Sequence, residues 1–131
     1  MTPEILSLLV FLATIAGLLL VQPLVLARAR GMAFVTSNRA EPVGGDVPVS
    51  GRLDRTVRNS IEAAVLFVPL VLMTQILDLS NVWTQWGAMI FAGARIAYAV
   101  FYASGITGLR SAAWNVGFAA TGVLAFGLVT G

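Results

Sequence analysis

The sequence has no cysteine and no histidine. Without cysteine there is no disulfide framework, no thiolate nucleophile and no thiolate metal site. Without histidine the commonest general base and the commonest metal ligand are both missing. Lysine is absent too, so all eight positive charges are arginine, and Schiff-base and phosphate-loop lysine chemistry are excluded. Charge is scarce altogether: 11% of residues are charged, against about 25% in an ordinary soluble domain. What fills the chain is apolar. Of 131 residues, 58% are hydrophobic, and the mean hydropathy is +0.89. A water-soluble fold of this length cannot bury that much apolar surface, because small domains leave much of their surface exposed. A soluble enzyme, a nucleic-acid binder and a disordered tail are therefore excluded, and the lipid bilayer is the expected partner.

A bilayer-spanning helix needs about 20 mostly apolar residues. Four segments meet this, at roughly 5–27, 53–77, 82–104 and 111–130. The first has no basic segment before it, and its apolar run is too long for a signal peptide, so a retained helix is expected. The expectation is an all-α, four-helix transmembrane bundle forming one membrane domain. Six of the eight arginines lie in or beside the first connection, namely Arg28, Arg30, Arg39, Arg52, Arg55 and Arg58. Arg110 follows the third span, and the second connection has no positive charge. The positive-inside rule then puts the first and third connections in the cytoplasm and both termini outside. Trp83 and Trp86 fall where an interfacial aromatic belt belongs. The first connection, rich in glycine and proline (Pro42, Gly44, Gly45, Pro48, Gly51), is expected to be a loop from Ala27 to Gly51. Residues 105–108 are expected to form a tight turn.

Ionisable residues inside a spanning helix are expensive and usually face a bundle interior or a polar cavity. Two clusters qualify. Arg52, Arg55, Arg58, Asn59 and Glu62 fall on one helical stripe about 120° wide, with Val57 and Ile61 opposite. The bland account of this stripe is a snorkelling arginine end in which Glu62 neutralises Arg58 or Arg55. Arg95, Tyr98 and Tyr102 share a face of the third span. Their bland account pairs Arg95 with Glu62 or a helix-end carbonyl. The summed content is arginines, one carboxylate, one amide and two phenols. Arginine forks suit carboxylates, and Glu62 suits an ammonium, so a ligand with two carboxylates, an amine and a peptide-like body would match.

These residues resemble the MAPEG family, the membrane-associated proteins in eicosanoid and glutathione metabolism. The resemblance rests on Arg55-x-x-x-Asn59-x-x-Glu62 followed by a proline-containing apolar run through Pro69, and on Arg95-x-x-Tyr98-x-x-x-Tyr102 followed by Arg110. It covers nearly the whole chain. It implies a homotrimer that binds glutathione at subunit interfaces, with the second-span motif of one subunit facing the third-span motif of the next. It also implies glutathione as co-substrate, held by Arg55, Asn59, Glu62, Arg95, Tyr98 and Tyr102, with Arg110 as the catalytic residue stabilising the thiolate. No metal is implied. The implied activity is a membrane-bound, transferase-like attack of the glutathione thiol on hydrophobic electrophiles or peroxides. The long first loop resembles a bacterial subgroup, which implies a bacterial inner membrane. Where the best-characterised synthases of the family carry a tyrosine after the glutamate, this chain has Ala63. The alternative is a non-catalytic protein of the same fold that binds glutathione or an anionic lipid head group. A small multidrug exporter, also four-spanning, fits less well: its carboxylate lies deep in the first helix, where this chain has no charge.

Overall fold

The computed structural model describes residues 1–38 and 48–131. Arg39, Pro42, Gly44 and Gly45 lie outside the described residues. Four long helices dominate: α1 (Pro3–Arg30), α3 (Pro48–Ile76), α4 (Val82–Ser104) and α5 (Thr107–Thr130). A short α2 (Met32–Thr36) follows α1. All four long helices are long and apolar enough to cross a membrane.

The first connection departs from the expected loop. Helix α1 continues through Arg30, α2 follows, and α3 begins at Pro48. The physical reasons are local. Arg28 and Arg30 occupy the last turn of α1, where positive charge complements the helix dipole. Pro48 opens α3, a position where its missing N–H costs nothing.

Other boundaries follow from capping. Thr2 caps α1 by accepting from the Ile5 amide, with Pro3 opening the helix. Asn81 caps α4 and forms a reciprocal box with Thr84. Helix α4 ends at Gly105, which adopts the left-handed conformation at φ 79°. Hydroxyls inside the spans are made compatible with lipid by bonding back to their own helix: Ser7 to Pro3, Thr56 to Arg52, Thr121 to Gly117.

The helices run alternately up and down. At one end, Glu4 at the start of α1 meets Ser80 and Thr84 at the start of α4, and the Asn81 amide donates to the Gly127 carbonyl near the end of α5. At the other end, the Arg52 guanidinium of α3 lies beside Gly105 in the α4–α5 turn. Both termini and the second connection therefore share one end of the bundle. Helix α4 is its hub: it packs on α1, α3 and most extensively on α5, whereas α1 and α5 make no significant contact among the described residues.

An aromatic trio holds three helices together. Phe67 of α3 stacks on Phe91 of α4 at 3.8 Å, and Phe11 of α1 meets both edge-on at 5.6 and 5.0 Å. Leu8, Val71, Ala88, Ala120 and Leu124 complete this core. The α4–α5 contact depends on missing side chains. A Cβ on Gly87 would sit 2.7 Å from the Leu124 amide nitrogen, and one on Gly127 would sit 2.8 Å from that of Thr84. Gly117 of α5 also faces α4, beside Ala94 and Arg95.

Glu4 is a feature the sequence did not advertise. It is completely buried. Its Oε1 accepts from Thr84 Oγ1 at 2.6 Å and Ser80 Oγ at 2.9 Å. A carboxylate at the N-terminal end of α4 is also favoured by that helix's dipole, so Glu4 acts as a tie between the first and third spans.

Replacing Gly87 with Ala should push α4 and α5 apart and cost about 1–3 kcal/mol, the usual scale of overpacking. Gly93→Ala, where nothing lies within 4 Å of the added Cβ, should be neutral or stabilising by up to about 1 kcal/mol. Thermal unfolding of both variants in one detergent checks the contrast.

Candidate functional site

The arginines and tyrosines of the bundle collect toward the end that carries the α4–α5 turn. Arg95 is the centre. It projects from α4 into the bundle, is 3% exposed, and donates through Nη2 to Asn59 Oδ1 at 3.0 Å and Ser60 Oγ at 3.1 Å, both on α3. Its guanidinium also lies over the Tyr98 ring, 4.5 Å from the centroid. Its Nε is buried with no hydrogen-bond partner.

A second contact joins the same helices nearer the turn. Arg55 Nε donates to the Tyr102 hydroxyl at 2.8 Å. Arg110, on the first turns of α5, covers the Tyr102 ring at 4.8 Å. Tyr98 and Tyr102 meet edge-on at 5.6 Å. Tyr102 thus has one guanidinium on its hydroxyl and another on its face.

The arginine stripe of α3 divides by direction. Asn59 turns toward Arg95, Arg55 toward Tyr102, and Arg52 toward Gly105. Arg58 turns outward and pairs with Asp54 at 3.1 Å on an exposed surface. Asp54 also accepts from Gln22 of α1 at 3.3 Å. Glu62 is exposed and pairs with none of these arginines among the described residues. This corrects the pairing of Glu62 with Arg58 or Arg55, and that of Arg95 with Glu62. In each case a nearer partner (Asp54, Tyr102, Asn59 with Ser60) takes the guanidinium. The Arg55–Asn59 and Arg95–Tyr102 motifs also meet within one chain. The close fit of α3 against α4 at Ser60 and Arg95 achieves this.

Two cavities open beside the cluster. One, of about 190 Å³, is lined at its polar side by Asn59, Glu62 and Arg95 and at its apolar side by Leu66, Phe91 and Phe118. The other, of about 370 Å³, is lined by Tyr98, Tyr102, Arg110, Ser111 and Asn115. Trp114 lines both. Electrostatically the region is lopsided. Among the described residues, Arg52, Arg55, Arg95 and Arg110 gather near one free carboxylate, that of Glu62. Such a site attracts anions and can fix a carboxylate or hold a thiolate by charge alone.

A sequence model of the MAPEG family matches residues 8–130. The chain belongs to the MAPEG family. That family includes glutathione transferases and related membrane proteins. No curated protein and no solved structure matches the chain. Of the residues that the MAPEG motifs single out, Arg55, Asn59, Arg95, Tyr98, Tyr102 and Arg110 form one connected group, while Glu62 stands on the cavity rim. The motifs do not single out Ser60, Arg52 or Trp114. Ser60 follows Asn59 directly, and a hydroxyl beside an amide in a span is the signal that could have found it. Trp114, one turn after Arg110, reads in sequence as another interfacial aromatic.

Asn59→Leu should strip one of the two acceptors from the buried Arg95 and cost about 1–3 kcal/mol. Arg58→Ala, which breaks only an exposed pair, should cost under about 1 kcal/mol. Chemical or thermal unfolding of the two variants measures the difference.

Proposed function

We propose that this protein is a membrane-bound, glutathione transferase-like enzyme that activates the glutathione thiol for attack on lipophilic electrophiles or peroxides. The observation that carries the reading is the arginine–tyrosine cluster, in which Arg55 and Arg110 flank Tyr102 while Glu62 stays unpaired among the described residues. Glutathione has two carboxylates, an ammonium and a thiol. The guanidinium groups match the carboxylates, and Glu62 matches the ammonium. Asn59, Arg95, Tyr98 and Tyr102 complete the binding set.

A free thiol has a pKa near 8.5, so little of it is ionised at neutral pH. With no histidine, lysine or cysteine, the protein's lever is electrostatic. A guanidinium within about 3–4 Å of the sulfur in a water-poor site favours the thiolate. Each unit of lowering takes about 1.4 kcal/mol. Arg110 is assigned this role. The thiol proton leaves to solvent, the sulfur bonds to the electrophilic carbon, and the leaving group departs with its electron pair. With a hydroperoxide, two glutathione molecules supply the electrons, and the products are alcohol, water and glutathione disulfide. The bilayer concentrates the lipophilic acceptor, while glutathione arrives from water.

The same reading places the arginine-rich end in the cytoplasm of a bacterial inner membrane and both termini outside, following the positive-inside rule. It includes a homotrimer, whose neighbours would cover part of the apolar surface that one subunit exposes.

Arg110→Ala should lower turnover roughly 10²–10³-fold, the scale of losing one charge stabiliser, with thiol affinity much less affected. The ultraviolet thiolate absorbance that appears when glutathione binds the wild type at neutral pH should disappear in the variant. Glutathione binding without a thiolate signal in the wild type would instead identify a binding protein of the same fold. Because Glu62 has no partner to strand among the described residues, Glu62→Gln should weaken glutathione binding about tenfold, one charge-assisted contact, and leave the melting temperature unchanged. Calorimetric titration and a melting curve on that variant separate ligand binding from structural support.

A further inference from the structure

Helix α1 is buried at two places and stands clear between them. Ser7, Leu8 and Phe11 are buried near its start and Leu26 near its end, and no residue from Leu12 to Val25 is buried. That stretch borders a groove. One cavity, of about 320 Å³, is lined by Thr14, Gly17 and Val21 of α1, by Ile96 and Val100 of α4, and by the buried Leu53 of α3. A second, of about 510 Å³, is lined along α1 by Val21, Leu24 and Arg28, and by Met32 of α2. Val21 lines both, so the two cavities meet there. Neither shares a lining residue with the cavities beside the arginine–tyrosine cluster.

Length and charge say what this groove fits. Thr14 lies near the middle of α1, and Arg28 lies in its last turn. Fourteen residues of α-helix rise about 21 Å. The hydrocarbon core of a bilayer is about 30 Å thick, so one leaflet of it is about 15 Å deep. The groove therefore runs from mid-membrane through one leaflet and into its interface, the depth of a single phospholipid. Apart from Thr14 and Arg28 its lining is apolar, and the Thr14 hydroxyl donates back to the Val10 carbonyl. Arg28 stands at the interfacial end, exposed, with no ion pair or hydrogen bond among the described residues. Arg30, two residues on, faces another way, with its guanidinium 4.7 Å from the centre of the Phe34 ring of α2. Gly31 turns the chain at φ 84°, and Met32 then lines the groove together with Arg28.

We propose that this groove binds one phospholipid with a negatively charged head group. An acyl chain packs along α1 against α4, where α1 has least protein around it, and Arg28 binds the phosphate. A guanidinium fork matches phosphate oxygens, and a basic residue at the membrane surface favours anionic lipid. A choline head group would set its own ammonium beside the guanidinium. A second copy of the chain, in the same membrane orientation, would bring its own arginine-rich end toward Arg28. The site is independent of the proposed thiol site and takes a different class of ligand.

The test uses the full-length protein, stripped of lipid by detergent exchange, and titrates phosphatidylglycerol and phosphatidylcholine with identical acyl chains. Native mass spectrometry reads bound lipid, and melting curves read stabilisation. The wild type should retain one phosphatidylglycerol per chain, bound about fivefold or more tighter than phosphatidylcholine. Arg28→Gln should lower phosphatidylglycerol to the phosphatidylcholine level and leave phosphatidylcholine within about twofold. Arg58→Gln, which removes an exposed arginine paired with Asp54, should leave the preference intact. Gly17→Phe, at a position where an added Cβ meets nothing within 4 Å, should fill the groove and weaken both lipids about tenfold or more. Equal wild-type affinity for the two lipids would overturn the inference, since only non-selective lipid then occupies the groove. Equal losses in Arg28→Gln and Arg58→Gln would also overturn it, because diffuse surface charge then sets the preference. So would a wild type that retains no lipid while Gly17→Phe breaks its oligomer, which would make the groove a contact between copies. The wild-type comparison of the two lipids requires no substitution, so the inference can fail even if a variant does not fold.

Discussion

The bundle is organised around a buried guanidinium. Arg95 sits in a span, 3% exposed, where an unpaired charge would be costly to insert and to keep. Two oxygen atoms of α3 meet it, from Asn59 and Ser60, and the Tyr98 ring lies against it. These contacts fix the rotation of α3 against α4. Once that register is set, Arg55 is carried to Tyr102 and the aromatic trio of Phe11, Phe67 and Phe91 closes further along the bundle. The register of α5 is then fixed by a different means. Gly87 and Gly127 bring its backbone so close to α4 that no rotation with a side chain in those gaps is possible. Arg110 is presented to the Tyr102 ring as a consequence.

The two ends of the bundle carry opposite electrostatic designs. At the end holding the termini, a single carboxylate is enclosed, and Glu4 accepts from two hydroxyls at a helix N-terminus through Oε1, while its Oε2 is buried with no partner among the described residues. At the other end, guanidinium groups outnumber carboxylates among the described residues, and phenols lie between them. The first arrangement consumes its charge in tying helices together. The second leaves charge available. A carboxylate that neutralised Arg55 or Arg110 would have made a sturdier bundle and a poorer anion site. Glu62 stands on a cavity rim, and the neighbouring Asp54 is diverted to Arg58 and Gln22.

The four spans and the family were legible in the sequence, whereas the turn expected over 105–108 is shorter, because α5 already begins at Thr107. Long uncharged apolar runs fit a bilayer and little else, and the few charged residues inside them must find a polar interior. Helical spacing also gathered Arg55, Asn59 and Arg95 with its tyrosines into the correct region. It could not give partners. A stripe about 120° wide still contains residues that point to three different neighbours, and Arg52, Arg55 and Arg58 do so. Partner choice depends on how helices rotate against each other, which is decided by contacts far apart in sequence, such as Ser60 with Arg95 and Gly87 with Leu124. Glu4 was invisible for the same reason. As the lone charge at a helix start it reads as an end residue, and only the return of the chain at Ser80 and Thr84 encloses it. The first connection differs from a plain loop because its prolines and glycines do not act alike: Pro48, at a helix start, favours the helix.

The absence of histidine, lysine and cysteine finally constrains how such a site can work. A protein without histidine, lysine or cysteine lacks the side chains that most often move a proton at neutral pH. It can hold a field that makes the reactive ionisation state the stable one before attack begins. Guanidinium is suited to this, since its charge does not change over physiological pH, and burial in a bilayer strengthens its effect by excluding water. The cost is that the charges repel one another and must be held apart by something polarisable and uncharged. Tyr98 and Tyr102 fill that position. Their rings accept cations on their faces, so Arg95, Arg55 and Arg110 share one end of a small bundle with no acid between them among the described residues.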